Sequence, residues 1–164
     1  AKPNRNGLAL AAALGVALTF VWVIGDHYTP HFAFLGNRVG YNPFEEIANP
    51  AARWTFIAVR FFGLVVIVPI VEEVFYRGFL LRFVTDIDDF RRVPTGRFTL
   101  AAFLFNVVFM ASSHPEWLVA AIFSAAMCSL IARTRNLFAC IVAHGVTNLL
   151  LGIYVMQFHQ WQYW

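Results

Sequence analysis

The run Ile67-Val68-Pro69-Ile70-Val71-Glu72-Glu73-Val74-Phe75-Tyr76-Arg77-Gly78-Phe79-Leu80-Leu81 constrains this chain more than any other stretch. Three ionisable side chains stand within six positions of an otherwise apolar segment. That segment starts near Trp54 and continues to about Val84, longer than the roughly 20 residues that cross a bilayer core. A charge at the centre of such a helix costs roughly 2.5–3.5 kcal/mol on insertion scales. Packing alone gives no reason to place three of them together, so they point to an enzyme.

Composition supports the membrane setting. The chain is 60% hydrophobic and only 13% charged, against about 25% charged in soluble domains. Its 164 residues suffice for one soluble domain by length, but not with so little polar surface. The net charge is +3, and no basic block is interleaved with aromatics, which excludes nucleic acid as a partner. Cys128 and Cys140 lie in apolar runs without C-x-x-C spacing and read as small buried hydrophobes. The chain begins with alanine, as a processed or trimmed product would, and its first apolar run lacks a clean signal-peptide cleavage site.

Five apolar segments follow one another, at about Leu8 to Ile24, Trp54 to Val84, Phe98 to Ser113, Leu118 to Ala132 and Leu137 to Gln157. None alternates with period two, so the chain is expected to be all-α, a polytopic transmembrane bundle of about five main helices. One integral membrane domain over residues 1–164 is expected, with 25–53 as an aromatic loop at the interface. Pro69 is expected to kink its helix one turn before Glu72. With five spans, Lys2, Arg5, Arg82, Arg91, Arg92, Arg97, Arg133 and Arg135 fall on one side, and Arg38 and Arg53 on the other. The positive-inside rule then puts the N-terminus in the cytoplasm and the tail Trp161–Trp164 at the outer interface.

Spacing sorts the charges. Glu73 and Arg77 are four apart and share a helix face, so they can pair. Glu72 is rotated away by about 100° and keeps no such partner, which suits it to take a proton from water. Two neighbouring carboxylates in unlike environments is the pattern of one that works and one that supports. Taken alone, an ion cluster tying helices together explains them too. His144 and Asn148, also four apart, face one way on the last segment, and His114 sits at the turn between segments three and four. Singly these are ordinary interhelical or interfacial polar residues. Jointly they add two imidazoles and an amide to the two carboxylates.

These motifs resemble those of the CPBP family, the type II CAAX prenyl endopeptidases and bacteriocin-processing proteins, which are glutamic intramembrane proteases. Glu72-Glu73-x-x-x-Arg77, followed by Gly78, is similar to the family's first motif, and His144-x-x-x-Asn148 to its last, with Arg133-Thr134 shortly before it. The middle motif, Phe-x-x-x-His, has Met110 at the phenylalanine position before His114. The resemblance covers about residues 54–154. It implies an endopeptidase in which Glu72 and His114 activate a water, Glu73 and Arg77 hold the acidic pair, and His144 and Asn148 stabilise the oxyanion. The substrate would be a membrane-embedded or lipid-anchored protein or peptide, and the setting a bacterial inner membrane. No cofactor and no metal are expected, and no G-x-S-x-G or paired Cys–His nucleophile is present.

Two rival readings stand beside this one. Glu72, His114 and His144 have the chemistry of a three-ligand metal site with one open position, although the chain has no H-E-x-x-H. A non-catalytic membrane interaction or immunity protein would use the same residues as helix glue. Glu45 and Glu46 read as a capping or interfacial pair, Arg60 as structural, and His27, His31 and His159 as interfacial. Asn106 is equally suited to lining a cavity or joining helices. Along ideal helices, Glu72 and His144 lie about 15 and 10 Å from the cytoplasmic end and His114 about 24 Å. The three meet only if segment three tilts or its turn sits within the bilayer.

Overall fold

The computed structural model describes residues 5–36 and 38–163, with side chains from Gly7 onward. Lys2 and Trp164, used above for orientation and for the aromatic tail, lie outside the described residues. Helix α1 covers Arg5–Tyr28. A strap over residues 29–49 follows, holding the four-residue helix α2, Pro43–Glu46, with Glu45 and Glu46 in its first turn. Helix α3 spans Pro50–Thr85, α4 Leu100–Ser112, α5 Trp117–Thr134 and α6 Leu137–Phe158. Helices α1, α3, α5 and α6 are long and apolar enough to cross a membrane, while α4 has only 13 residues.

Local chemistry sets the helix starts. The Asn49 side chain accepts from Ala52 N–H with Pro50 at the first turn of α3, Thr99 caps α4, and Asn136 caps α6 through Phe138 N–H. Each satisfies a backbone donor that a helix start leaves open. Helix α5 ends where Arg135 turns left-handed, at φ 51°.

Helix α3 is irregular on both sides of Pro69. Gly63–Ile67 and Val74–Leu80 are π turns, and Pro69 falls in the first turn of the α-helical piece between them, Val68–Glu73. Proline has no N–H and its ring crowds the carbonyl four residues back. A widened turn just before it relieves that crowding within a continuing helix.

Close backbone approach joins α1 to α6. A Cβ on Gly15 would lie 2.5 Å from the Ala143 carbonyl oxygen. Thr147 Oγ1, from α6, donates to the Gly15 carbonyl at 3.1 Å. Small residues and hydroxyls are the usual glue between membrane helices. The core runs through Val119, Phe123, Met127 and Ile131 of α5 against Ala139, Cys140 and Ala143 of α6, each at most 2% exposed. Cys128 and Cys140 are buried free thiols. The outer faces are greasy: only 11% of the most apolar stretch of α3 is buried, with Val59, Phe62 and Val71 exposed.

Contacts sort the loops into two ends. At one end Arg82 Nε donates to the Val93 carbonyl, Thr85 meets Thr99, and Gly7 lies beside Thr134. Arg91, Arg92, Arg97, Arg133 and Arg135 belong to this end. At the other, Trp117 Nε1 donates to the Pro30 carbonyl, Arg38 pairs with Glu116 at 2.8 Å, and Tyr163 bonds Asp26. The four long helices and the shorter α4 thus alternate in direction along the chain.

Candidate active site

The second of the two glutamates is the more enclosed. Glu73 and Arg77 both have no exposed surface. Arg77 Nη1 donates to Glu73 Oε1 at 3.3 Å, and the same oxygen lies 2.9 Å from His144 Nδ1. The other guanidinium nitrogen, Nη2, reaches Ser124 Oγ at 3.3 Å and the Met110 sulfur at 3.7 Å. Met110 stands where the sequence motif leads one to expect phenylalanine, and its thioether serves here as a weak acceptor. Asn106 braces the group from α4: its amide donates to the Tyr76 carbonyl at 2.9 Å, and its Oδ1 accepts from Ser124 Oγ at 3.2 Å. It is a helix-joining residue.

Glu72, one step earlier, turns into a cavity of about 200 Å³ that His114, His144 and Asn148 also line. It is half-buried, and among the described residues it has no hydrogen-bond or ion-pair partner. The space is large enough for several waters, at about 30 Å³ each. Trp22, Leu64, Val68 and Phe123 make much of the remaining wall apolar.

The two imidazoles are each fixed through Nδ1. His114 Nδ1 lies 2.9 Å from the Met110 carbonyl, which makes it the donor and leaves Nε2 to accept. Ser113 Oγ is 3.1 Å from the same nitrogen and 3.3 Å from Tyr76 Oη. The Trp22 ring meets His114 edge-on. His144 gives Nδ1 to Glu73 and stands edge-on to Phe123, with ring centroids 4.9 Å apart.

Asn148 is held by an unusual acceptor. Its Nδ2 donates to the Leu64 carbonyl at 2.8 Å. In the π turn Val68 N–H reaches back to Gly63, so the Leu64 carbonyl would look to residue 69 for its donor. Residue 69 is proline and has none. The Asn148 amide takes that place and keeps its second N–H and its oxygen. Gly145, on the same helix, lets α6 come close: a Cβ there would be 2.9 Å from the Val65 carbonyl.

Helix α4 is short, about 20 Å at 1.5 Å per residue. Its far end meets the strap through Trp117 on Pro30 and Arg38 on Glu116, and His114 there shares the cavity with residues of α3 and α6. The family model described as type II CAAX prenyl endopeptidase Rce1-like matches residues 53–150. The chain belongs to that family. As an Rce1-like protein it is a membrane protease of the CAAX type. Neither the curated proteins nor the solved structures give a match.

All six sequence-predicted residues of this Rce1-like protein come together, in two layers. Glu72, His114, His144 and Asn148 border the cavity, and Glu73 and Arg77 lie behind them. The Glu73–His144 bond was not foreseen from sequence, nor were Ser124 and Met110 as partners of Arg77; no motif marks them. Among the described residues, no three His, Cys, Asp or Glu side chains gather as a metal ion would require. At the strap end of the cavity stand Arg38 and Tyr163. Burial, and then the Asp26 carboxylate, push the Tyr163 phenol above the ordinary tyrosine range, which keeps it a protonated donor.

Proposed function

We propose that this Rce1-like protein is an intramembrane endopeptidase that hydrolyses a peptide bond with a water activated by Glu72 and His114. The observation that carries the reading is a carboxylate with no partner among the described residues, facing two oriented imidazoles and an amide across one cavity of about 200 Å³. Water bound between Glu72 and His114 Nε2 gives a proton to the carboxylate as its oxygen adds to the scissile carbonyl carbon. Negative charge moves to the carbonyl oxygen. His144 and Asn148, one turn apart on α6, supply donors toward it. With Nδ1–H on Glu73, an Nε2 donor means the imidazolium form of His144, and Glu73 is its counter-charge. Collapse of the tetrahedral intermediate expels the amine, which takes its proton from Glu72.

Arg77 shares Glu73 with His144, so the buried layer sets the orientation of His144 and takes no part in bond-making. The family description supports a prenylated C-terminal motif as substrate, and the apolar cavity wall is compatible with a lipid-anchored chain. The proposed setting is a bacterial inner membrane with a cytoplasmic N-terminus.

The test uses the full chain in liposomes with two internally quenched peptides, one farnesylated with a CAAX end and one membrane-anchored without a prenyl group. Cleavage of either by the wild type is expected, with a loss of about 100-fold or more in Glu72→Gln. Undiminished cleavage by a Glu72→Gln protein of unchanged thermal stability overturns the reading.

A further inference from the structure

We infer that the cavity opens at the end of the bundle opposite the arginine-rich end, so that the bond to be cut arrives from the non-cytoplasmic side. Of the two substrate classes in the cleavage test, this favours the membrane-anchored chain without a prenyl group, presented as a translocated segment, over the prenylated C-terminal motif. The identification of the cavity as the place of cleavage rests on the proposed function; its sidedness does not.

Three observations carry this. Apart from Met110 of the short helix α4, the residues that border the cavity from outside the long helices are Arg38 of the strap, His114 of the α4–α5 turn and Tyr163 beyond α6. All three belong to the end where Trp117 holds Pro30 and Arg38 holds Glu116. Among the described residues, none of the 86–99 loop or of 134–136 borders it.

The opposite direction is blocked. Behind Glu72 lies the closed layer of Glu73, Arg77, Asn106 and Ser124, all with no exposed surface. Below that layer, Leu80, Met127, Leu130 and Ile131 are at most 7% exposed. Water entering from the arginine-rich end would have to pass an ion pair with no exposed surface and then a dry apolar plug.

The charge distribution then assigns the ends to the two sides of a membrane. Arg82, Arg91, Arg92, Arg97, Arg133 and Arg135 lie at the plugged end, and Arg38 and Arg53 at the open one. An excess of basic residues in short loops marks the cytoplasmic side. The mouth is therefore external. Arg38 is exposed there, with Nε fixed by the buried Glu116 carboxylate.

The test is thiol accessibility in the full chain, in a bacterial host, with the native thiols removed as Cys128→Ser and Cys140→Ala. Single cysteines are placed at the cavity wall (Leu151→Cys), at the strap end (Gln162→Cys) and in the arginine-rich loop (Arg97→Cys). A small membrane-impermeant methanethiosulfonate is applied to right-side-out spheroplasts and to inverted vesicles. The expected result is modification of Leu151→Cys and Gln162→Cys in spheroplasts only, and of Arg97→Cys in inverted vesicles only. Modification of Leu151→Cys from the inverted side, from both sides or from neither overturns the inference, as does a reversed pattern for the two loop positions. Because labelling needs no turnover, an active Glu72→Gln protein would remove the glutamate mechanism and leave the sidedness standing.

Discussion

Glu72 and Glu73 are chemically identical neighbours, and one residue of helical rotation gives them unlike tasks. Glu73 has no exposed surface and shares one oxygen between Arg77 and His144, whereas Glu72 faces the cavity without a partner among the described residues. Removing Arg77 leaves Glu73 with His144 alone, and breaking a fully buried ion pair costs about 3–5 kcal/mol. Arg77→Ala is therefore expected to lower the melting temperature in lipid by about 6 °C or more, at roughly 2–4 °C per kcal/mol for a chain of this size. Thermal unfolding checks it, and an unchanged midpoint means that the pair is solvated. Arg77→Lys is not expected to rescue, since a single ammonium does not span Glu73 and Ser124 as the guanidinium fork does. The donors on α6 separate mechanisms. Asn148→Ala is expected to lower kcat by about 100- to 1,000-fold with little change in KM, the usual loss for an oxyanion donor. His144→Ala is expected to match it, and the active wild type to contain no stoichiometric metal. Zinc bound one-to-one in active protein and lost on His144→Ala would defeat the glutamate mechanism.

Helix α3, which brings Glu72 to the cavity, carries a defect in its own ladder, and the defect has a readable energetic signature. The Leu64 carbonyl depends on Asn148 because residue 69 brings no N–H. In the wild type, Asn148→Ala leaves that carbonyl bare, at about 1–3 kcal/mol if no water reaches it. Pro69→Ala restores a backbone donor within the helix. The destabilisation by Asn148→Ala is therefore expected to shrink by about half or more in the Pro69→Ala background, as coupled residues do in a double-mutant cycle. Four melting temperatures decide it, and equal losses in both backgrounds refute the link. This device also marks where sequence reading stops. The helices were legible because apolar runs of about 15 to 31 residues leave few alternatives, whereas the caps Asn49, Thr99 and Asn136 show only in the structure. Glu73–Arg77 was legible because i,i+4 spacing is local. The π turns were not, since Pro69 announces a disturbance without saying whether the helix will bend or widen; that depends on Asn148 of α6, 84 residues from the carbonyl it holds. Glu73–His144 is likewise a contact across 71 residues, and Ser124 carries no motif.

At the scale of the whole molecule, the family match over residues 53–150 leaves out α1, yet the cavity is incomplete without it. Trp22 of α1 forms part of the wall, edge-on to His114 and to Phe123. Its position depends on how closely α1 lies on α6, and Gly15 sets that distance. The Gly15 carbonyl accepts from Thr19 at 3.0 Å and from Thr147 at 3.1 Å, while its Cα faces the Ala143 carbonyl with no room for a methyl group. Gly63 of α3 is the natural comparison, because nothing lies within 4 Å of where its Cβ would be. Both glycines are helical, so alanine improves the backbone term at each by about 0.4–1 kcal/mol. Only at Gly15 does overpacking oppose it, at about 1–3 kcal/mol. Gly63→Ala is thus expected to melt at or slightly above the wild-type temperature, and Gly15→Ala several degrees below it, at about 2–4 °C per kcal/mol. Activity should separate the two in the same order, because a displaced α1 carries Trp22 away from His114 and loosens the cavity wall. Thermal unfolding and peptide cleavage of both variants in the same lipid provide the check. Gly15→Ala as stable and as active as Gly63→Ala would mean that α1 is a passenger on the fold and that the site is complete within α3 to α6.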